Sequence, residues 1–176
     1  MNFLKYTNTR PFHNGLVVGK FCPLHRGHEH VINTALSMCH NVMIISYTSQ
    51  DLGFDHVVRE RWLTSRFPTA AVILIPPELA PMDEADDSVH RSFCGGVCTG
   101  EGFLVDAVFT SESYGPGFAE SLSKQLNRHV THVSVDPLRE KFPISGTVLR
   151  TTRATCRPEW STLWDEFVHP DIRSST

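Results

Sequence analysis

The chain of 176 residues is long enough to form one domain with its own hydrophobic core, without disulfides or a structural metal for support. Its formal net charge of -3 and its lack of a basic tract argue against a nucleic-acid partner. Residues 1–14 lack the apolar segment of a secretion signal, and the sequence has no apolar run of about 18 residues for a membrane span, so we predict a cytoplasmic protein without a membrane partner.

The cysteines are scattered through the sequence. Their number is odd, at positions 22, 39, 94, 98 and 156, which is not typical of a secreted disulfide framework. His90, Cys94 and Cys98 recur at intervals that would place them on one face of a helix. They supply fewer ligands than a structural zinc site needs, and Gly95 and Gly96 weaken such a helix. We therefore interpret the thiols as structural and predict no bound metal.

Short apolar runs alternate with helical patterns along the chain. Apolar runs predict strands at residues 16–18, 41–47, 70–75, 105–109 and 130–135. Helices are predicted between them, and an apolar stripe predicts a C-terminal docking helix at about 158–168. This order favours a Rossmann-like, doubly wound α/β fold with a five-stranded parallel sheet and helices on both faces. We expect one domain over residues 1–176, with its core in 14–152.

The middle of the chain contains two predicted helix starts and a long loop. Asp55 is a candidate cap for a helix through Ser65, and Ser88 is one for a short helix that Gly95 and Gly96 end. Between the two helices, residues 76–87 are rich in Pro, Asp and Glu. That loop is long enough to be functional or mobile, and the sequence does not assign it a role.

A ten-residue segment from Gly19 to His28 joins the first predicted strand to the first helix. Gly19 lets the backbone turn tightly and lets a ligand approach closely. His25 and His28 are three residues apart and share one face of the first helical turn, where free N–H groups and the helix dipole favour an anion. We interpret the pair as a phosphate site. A metal site would require a third nearby ligand, and either histidine alone would be an ordinary surface residue.

A second candidate segment follows the fifth predicted strand. Ser145 can cap a helix, Thr147 adds a hydroxyl in its first turn, and Arg150 can reach forward with a charged guanidinium. Alone, this pattern is an ordinary helix start. Ligands of doubly wound sheets bind beyond the carboxyl ends of the strands, so we expect both segments to line one site.

The two segments together resemble a known superfamily. The first matches the GxFxPxHxGH signature of the nucleotidylyltransferase superfamily at Gly19, Phe21, Pro23, His25, Gly27 and His28. The second matches that superfamily's ISxTxxR signature from Ile144 to Arg150. Residues 105–115 and 135–137 look most similar to the nicotinamide-nucleotide adenylyltransferase branch, particularly the adenylyltransferase domain of the bifunctional NAD-biosynthesis regulator.

The resemblance implies a reaction and roles for individual residues. AMP would pass from ATP to nicotinamide mononucleotide, giving NAD and pyrophosphate, with Mg²⁺ carried on ATP. His25 and His28 would hold ATP phosphates in the transition state, Lys20 would neutralise bridging charge, and Arg150 would bind the β and γ phosphates. The implied ATP-binding residues also include Gly19, Phe21, Gly27, Ser111, Ser145 and Thr147.

The resemblance says less about the acceptor. It implies an arginine of the second helix near the phosphates, which either Arg59 or Arg61 can match, although a solvated basic face is an equal alternative. It also implies an aromatic that stacks on nicotinamide near Phe93, for which a core packing role is the alternative. The remaining candidate substrate-binding residues are Glu112, Tyr114 and Asp136.

Three other functions remain open at this stage. The first is transfer to another acceptor such as phosphopantetheine, or transfer of a cytidylyl group. The second is a non-catalytic nucleotide sensor, and the third is a fragment of a class I aminoacyl-tRNA synthetase, for which a KMSKS-like segment and a basic surface are missing. The expected partners are ATP and nicotinamide mononucleotide, and the sequence is compatible with a homo-oligomer.

Overall fold

The computed structural model describes residues 10–174, which form a five-stranded parallel sheet in the order β3-β2-β1-β4-β5. The strands are β1 (Phe12–Gly19), β2 (Cys39–Ser46), β3 (Ala71–Leu74), β4 (Ala107–Thr110) and β5 (Thr131–Ser134). The helices are α1 (Arg26–Met38), α2 (His56–Arg66), α3 (Asp87–Gly100), α4 (Gly115–Gln125), α5 (Gly146–Ala154), α6 (Glu159–Phe167) and α7 (Pro170–Arg173). A 3₁₀ turn spans Pro77–Leu79.

Strand β1, at the centre of the sheet, and its neighbour β2 contribute side chains to the cores on both faces. Alternate side chains of a strand point to opposite faces of the sheet. On β1, Val17 packs into the core beneath α1, α2, α5 and α6, whereas Leu16 packs into the core beneath α3 and α4. Ile44 and Ile45 of β2 divide in the same way. Helices therefore cover both faces, and the predicted doubly wound α/β fold is confirmed.

Two sequence predictions about local structure were wrong. The apolar run at residues 70–75 predicts a buried strand, but β3 is an edge strand whose side chains are exposed or only partly buried. Helix α3 starts at Asp87 and runs unbroken through Gly95 and Gly96 to Gly100, with Asp86 rather than Ser88 at its N-cap position. A Cβ atom on Gly95 would collide with the Gln125 side chain at the end of α4. The burial of Cys94 and Cys98 of this helix in the core outweighs the low helix propensity of glycine.

Helix α6 packs its apolar side chains into the core. The side chains of Trp164 and Phe167 on α6 are buried in the core. The Trp164 ring stacks parallel to that of Phe54, with a centroid separation of 6.2 Å. Arg153 of α5 lies over the faces of Phe54 and Trp160, which ties α5 to α6.

The strand order reverses its direction between β1 and β4. Strand β2 pairs with one side of β1 and β4 pairs with the other side, and both pairings are parallel. Crossover helices leave these neighbouring strands towards opposite faces, which opens a crevice beyond their carboxyl ends. Within residues 10–174, no helix has the length and apolar character needed to cross a membrane.

Candidate functional site

A cavity of about 440 Å³ lies beyond the carboxyl ends of β1 and β4. The segment between β1 and α1 forms one wall, and the start of α5 forms a second wall. The β4–α4 connection and the first turns of α3 complete the lining. The sequence prediction that the two matching segments would meet at one site therefore agrees with the geometry.

His25 and His28 lie side by side in this cavity. Their rings stack with a centroid separation of 3.7 Å and an interplanar angle of 24°. His25 is only 3% exposed, and neither of its ring nitrogens has a hydrogen-bond partner among residues 10–174. Nδ1 of His28 likewise lacks a partner in the described part of the chain. Buried polar atoms are normally paired, so these nitrogens are donors or acceptors that await a ligand.

Both imidazoles are uncharged at neutral pH. Burial lowers the pKa of His25 well below its usual value, and the neighbouring His28, Arg139 and Arg150 lower it further. Burial together with Arg139 and Arg150 lowers the pKa of His28 to about 3, although a hydrogen bond to the Pro23 backbone acts in the opposite direction. Each neutral ring carries a single N–H donor, and in His28 the Pro23 carbonyl competes with a ligand for it.

The turn between β1 and α1 fixes the histidine pair. Phe21 adopts φ 51°, a left-handed conformation that is unusual for a bulky residue. Its ring is buried and meets the His28 ring edge-on at 4.9 Å. Gly27 leaves room for the His25 ring, because a Cβ atom there would lie 3.1 Å from Cε1 of His25. Within residues 10–174, no side chain caps the N-terminus of α1, and Gly27 and His28 of its first turn line the cavity.

Helix α5 forms the second wall of the cavity. Ser145 Oγ accepts a hydrogen bond from the Val148 amide at 3.2 Å, which confirms the predicted N-cap. Arg150 donates from Nη1 to the Cys22 carbonyl and from Nη2 to Thr147 Oγ1 at 3.2 Å. The guanidinium therefore connects α5 directly to the backbone of the segment between β1 and α1.

Lys20 is held by a residue that the sequence reading did not single out. Lys20 Nζ lies 2.6 Å from Oδ2 of Asp83, a carboxylate in the loop of residues 76–87. Asp83 also accepts hydrogen bonds from Thr48 Oγ1 at 2.9 Å and from the Ser49 amide at 2.8 Å. Both Lys20 and Asp83 line the cavity. No local pattern could reveal this contact, because 63 positions separate the partners in sequence.

The β4–α4 connection contributes Ser111, Glu112 and Tyr114 to the lining. Glu112 forms an ion pair with Arg139, and Arg139 Nη1 donates to the Ile144 carbonyl at 2.6 Å. Arg139 lines the cavity and acts on both histidines electrostatically, and the sequence reading had missed it.

Asp136 also lines the cavity, where its carboxylate organises the loop that leads into α5. Partial burial acts to raise the pKa of Asp136, but hydrogen bonds from the amides of Lys141, Phe142 and Glu140 outweigh it and keep the pKa low. Its observed contacts are thus with the backbone of its own loop.

Three predicted site residues lie elsewhere. Among the residues that the structure describes, the lining does not include Arg59, Arg61 or Phe93. Arg59 is 1% exposed and donates to the Lys20 carbonyl at 3.0 Å and to Ser46 Oγ at 2.9 Å, so it supports the first segment from below. Arg61 is exposed on the far side of α2. Phe93 packs edge-on against Tyr47 at 5.2 Å in the core beneath α3.

The end of the cavity nearest α3 is lined by Tyr47, His90 and Cys94. The Tyr47 hydroxyl lies 3.0 Å from Nδ1 of His90 and 3.7 Å from Sγ of Cys94. Burial raises the pKa of the Cys94 thiol to about 11, so it is not a thiolate at neutral pH. Across residues 10–174, no group of three or more His, Cys, Asp and Glu side chains is arranged to hold a metal ion.

Comparison with known proteins identifies the fold. No protein-family model and no curated protein matches the sequence. The structure aligns with that of NadR protein in complex with NAD and AMP-PNP over 82% of this chain and 44% of that one, with a TM-score of 0.56 and 17% identity. A bifunctional NMN adenylyltransferase/ADP ribose pyrophosphatase from Francisella tularensis aligns over 80% and 41%, with a TM-score of 0.52 and 14% identity.

A third neighbour matches over nearly its whole length. It is a putative nicotinate-nucleotide adenylyltransferase from Vibrio parahaemolyticus, aligned over 93% of this chain and 90% of the other with a TM-score of 0.55 and 10% identity. The chain thus spans less than half of the first two neighbours and most of the third. It has the Rossmann-like α/β fold of these adenylyltransferases, as the sequence resemblance implied.

Proposed function

We propose that this protein is an adenylyltransferase that transfers AMP from ATP to nicotinamide mononucleotide, giving NAD and pyrophosphate. The observation that carries the proposal is the stacked pair His25 and His28, three of whose ring nitrogens lack a hydrogen-bond partner among residues 10–174, in one cavity with Arg150. The shared fold with adenylyltransferases supports it. Nucleotidyl transfer requires positioning and charge neutralisation, and this cavity supplies both.

The reaction proceeds by direct displacement. A phosphate oxygen of the acceptor forms a bond to the α-phosphorus of ATP, and the bond from that phosphorus to the bridging oxygen breaks. The electron pair leaves with pyrophosphate. No covalent intermediate with the protein is required, since His25 and His28 act as hydrogen-bond donors to phosphate oxygens rather than as nucleophiles.

The neutral state of the histidines suits this role. A neutral imidazole donates one hydrogen bond, and its donor strengthens as negative charge grows on the departing oxygen. The first turn of α1 lines the same cavity and adds the positive end of the helix dipole. Lys20 neutralises the charge on the bridging oxygen.

Charged and hydroxyl groups of α5 bind the outer phosphates. Arg150 contacts the β and γ phosphates with its planar guanidinium, which can offer two parallel N–H donors. The Thr147 hydroxyl lies beside that guanidinium and Ser145 sits at the helix start, so both reach the same phosphates. Magnesium arrives as part of the substrate, Mg·ATP.

A pyrophosphate-release assay tests this function. Purified protein is supplied with Mg·ATP and, separately, with nicotinamide mononucleotide, its acid analogue, phosphopantetheine or no acceptor. We expect the highest kcat/KM with nicotinamide mononucleotide and the formation of NAD in equal amount to pyrophosphate. A chelator should stop turnover, and replacing ATP with CTP should slow it.

The outcomes separate the competing functions. Protein with the His28→Ala change, purified in parallel, controls for a contaminating host enzyme. A higher kcat/KM with phosphopantetheine or with CTP would replace the proposed substrates. ATP binding without turnover of any acceptor would instead indicate a nucleotide sensor.

A further inference from the structure

In the ion pair between Lys20 and Asp83, the carboxylate has several further hydrogen-bond partners, whereas the lysine side chain is half exposed. The Asp83 side chain is 5% exposed and receives hydrogen bonds from Thr48 Oγ1, the Ser49 amide and Ser49 Oγ in addition to Lys20. The Lys20 side chain is 47% exposed. The carboxylate is therefore fixed by the end of β2 whether or not the lysine is present, and the ammonium is the partner that can move.

Asp83 is ionised throughout the physiological pH range. Burial acts to raise the pKa of its carboxyl, but the hydrogen bonds from Lys20, Ser49 and Thr48 outweigh burial and lower the pKa to about 2. A fixed, buried negative charge at the cavity wall would repel ATP if it were unpaired. Its pairing with Lys20 removes that repulsion.

The backbone of Lys20 is fixed independently of its side chain. The Lys20 carbonyl accepts a hydrogen bond from Arg59 Nη1 at 3.0 Å, and Ser46 Oγ lies 3.3 Å from the same oxygen. With the main chain held from below, the direction of the lysine side chain depends on what its ammonium contacts. Among residues 10–174, Asp83 is the carboxylate that pairs with it.

We propose that Asp83 is a positioning residue for the reaction, which anchors the Lys20 ammonium at the cavity wall where the leaving pyrophosphate develops charge. The proposal rests on the proposed function and gives the loop of residues 76–87 a role in it. An ammonium on a flexible four-carbon stem loses rotamer freedom when it is held, so the anchor meets this entropic cost before the substrate binds.

A double-mutant cycle tests the proposal. Asp83→Asn removes the charge but keeps a side chain of similar shape that can still accept from Ser49. We expect kcat to fall about 10-fold or more, with little change in the KM for ATP, because a misplaced charge weakens transition-state binding. In a Lys20→Ala background, the same Asp83→Asn change should leave kcat unaltered, because the residue that it positions is absent.

Glu84→Gln provides the matched control. Glu84 is the next residue of the same loop, is exposed, and pairs with Gln50 Nε2 at 2.6 Å rather than with Lys20. Its neutralisation removes the same charge and should leave kcat at the wild-type level. If Asp83→Asn lowered kcat by the same factor with and without Lys20, its role would be structural and the proposal would be overturned.

A measurement that does not depend on turnover tests the pair itself. Brief acylation with acetic anhydride, followed by mass spectrometry, compares the labelling of Lys20 with that of Lys124, an exposed lysine on α4. Asp83→Asn should raise Lys20 labelling several-fold relative to Lys124, because the amine loses its partner. Unchanged labelling would overturn the pairing, whereas wild-type protein that is inactive with every acceptor would overturn the proposed function.

Discussion

The two helices that begin at the cavity offer different kinds of phosphate-binding group. Helix α1 begins at a histidine pair that is largely enclosed, and no described side chain caps it. Helix α5 begins at Ser145, whose hydroxyl occupies the Val148 amide, and its groups facing the cavity are more exposed. The first helix start therefore leaves its own N–H groups for a ligand, and the second relies on side chains such as Arg150.

The difference in charge state teaches which step each wall serves. We call the histidine pair at the start of α1 the α1 wall, and the start of α5 with Arg150 the α5 wall. The imidazoles of the α1 wall are neutral, so they bind an existing phosphate charge weakly but respond strongly when charge grows. The α5 wall carries a permanent positive charge, which attracts phosphates in the ground state as well. We therefore expect the α1 wall to determine kcat and the α5 wall to contribute to both kcat and the KM for ATP.

The largest expected effect comes from His28→Ala. Loss of one transition-state donor typically lowers kcat on the order of 10²-fold. The KM for ATP should change little, because a neutral donor contributes little to ground-state binding. Steady-state kinetics beside a thermal melt measures both consequences.

His30→Ala is the matched control for this variant. It removes an imidazole from the same helix at a position outside the described cavity lining, and kcat should stay near the wild-type value. A His28→Ala protein with an intact fold and normal kcat would show that the histidine pair is structural, and the distinction between the two walls would be lost.

Arg150→Ala should have a smaller effect on kcat than His28→Ala, and it should change the KM for ATP as well. The KM for ATP should rise about 10-fold and kcat should also fall, because the guanidinium contacts phosphates that are charged before and during the reaction. Arg150→Lys should raise the KM for ATP less than Arg150→Ala does, because lysine keeps the positive charge but cannot form the bidentate contact. Both parameters come from ATP titrations at a saturating acceptor concentration.

Arg157→Ala controls for the loss of one positive charge. Arg157 is exposed beyond the end of α5 and does not belong to the described lining, so its removal should leave the KM for ATP unchanged. An Arg150→Ala variant that lowered kcat alone would show that the α5 wall acts only in the transition state, contrary to the comparison.

The smallest effect concerns stability and pH. His25 and His28 have lowered pKa values in the folded protein, so the unfolded chain binds more protons below its ordinary histidine pKa of about 6.5. The contribution of the two neutral histidines to the free energy of unfolding is thus fully present above about pH 6.5 and is lost as the pH falls below that value. We expect each buried histidine to reduce the free energy of unfolding by about 1 to 2 kcal/mol between pH 7 and pH 5.

Urea unfolding of wild-type and His28→Asn protein at several pH values measures this slope. The variant should lose less stability than the wild type between pH 7 and pH 5. His30 and His132 also have lowered pKa values, because of burial, and retain their contribution in both proteins. An identical slope in the two proteins would mean that His28 has an ordinary pKa, and burial would then not be what keeps this imidazole neutral.

The fold was predictable from the sequence because its signals are local. The buried runs of β1 and β2, the Asp55 cap of α2 and the Ser145 cap of α5 each depend on residues a few positions apart, and each lies where the sequence places it. The histidine pair likewise follows from local spacing, because His25 occupies the N-cap position of α1 and His28 lies in its first turn. These features needed no knowledge of what packs against them.

Long-range packing determined the features that the sequence prediction missed. Arg59 and Arg61 are two residues apart on α2 and point in nearly opposite directions, and only the position of α2 against the sheet buries Arg59 beneath Lys20. Helix α3 passes through two glycines because its buried face, with Cys94 and Cys98, packs into the core. The contact of Arg139 with Glu112 joins loops that are 27 positions apart.

The sequence by itself determined the α/β class, the two helix starts and the chemical groups that they carry, because secondary structure and capping depend on neighbours along the chain. Only the tertiary structure decided that Arg150 reaches the Cys22 carbonyl, that Asp83 holds Lys20, and that burial keeps the histidines neutral. Contacts and solvation of this kind depend on which surfaces meet, and segments far apart in the sequence supply those surfaces.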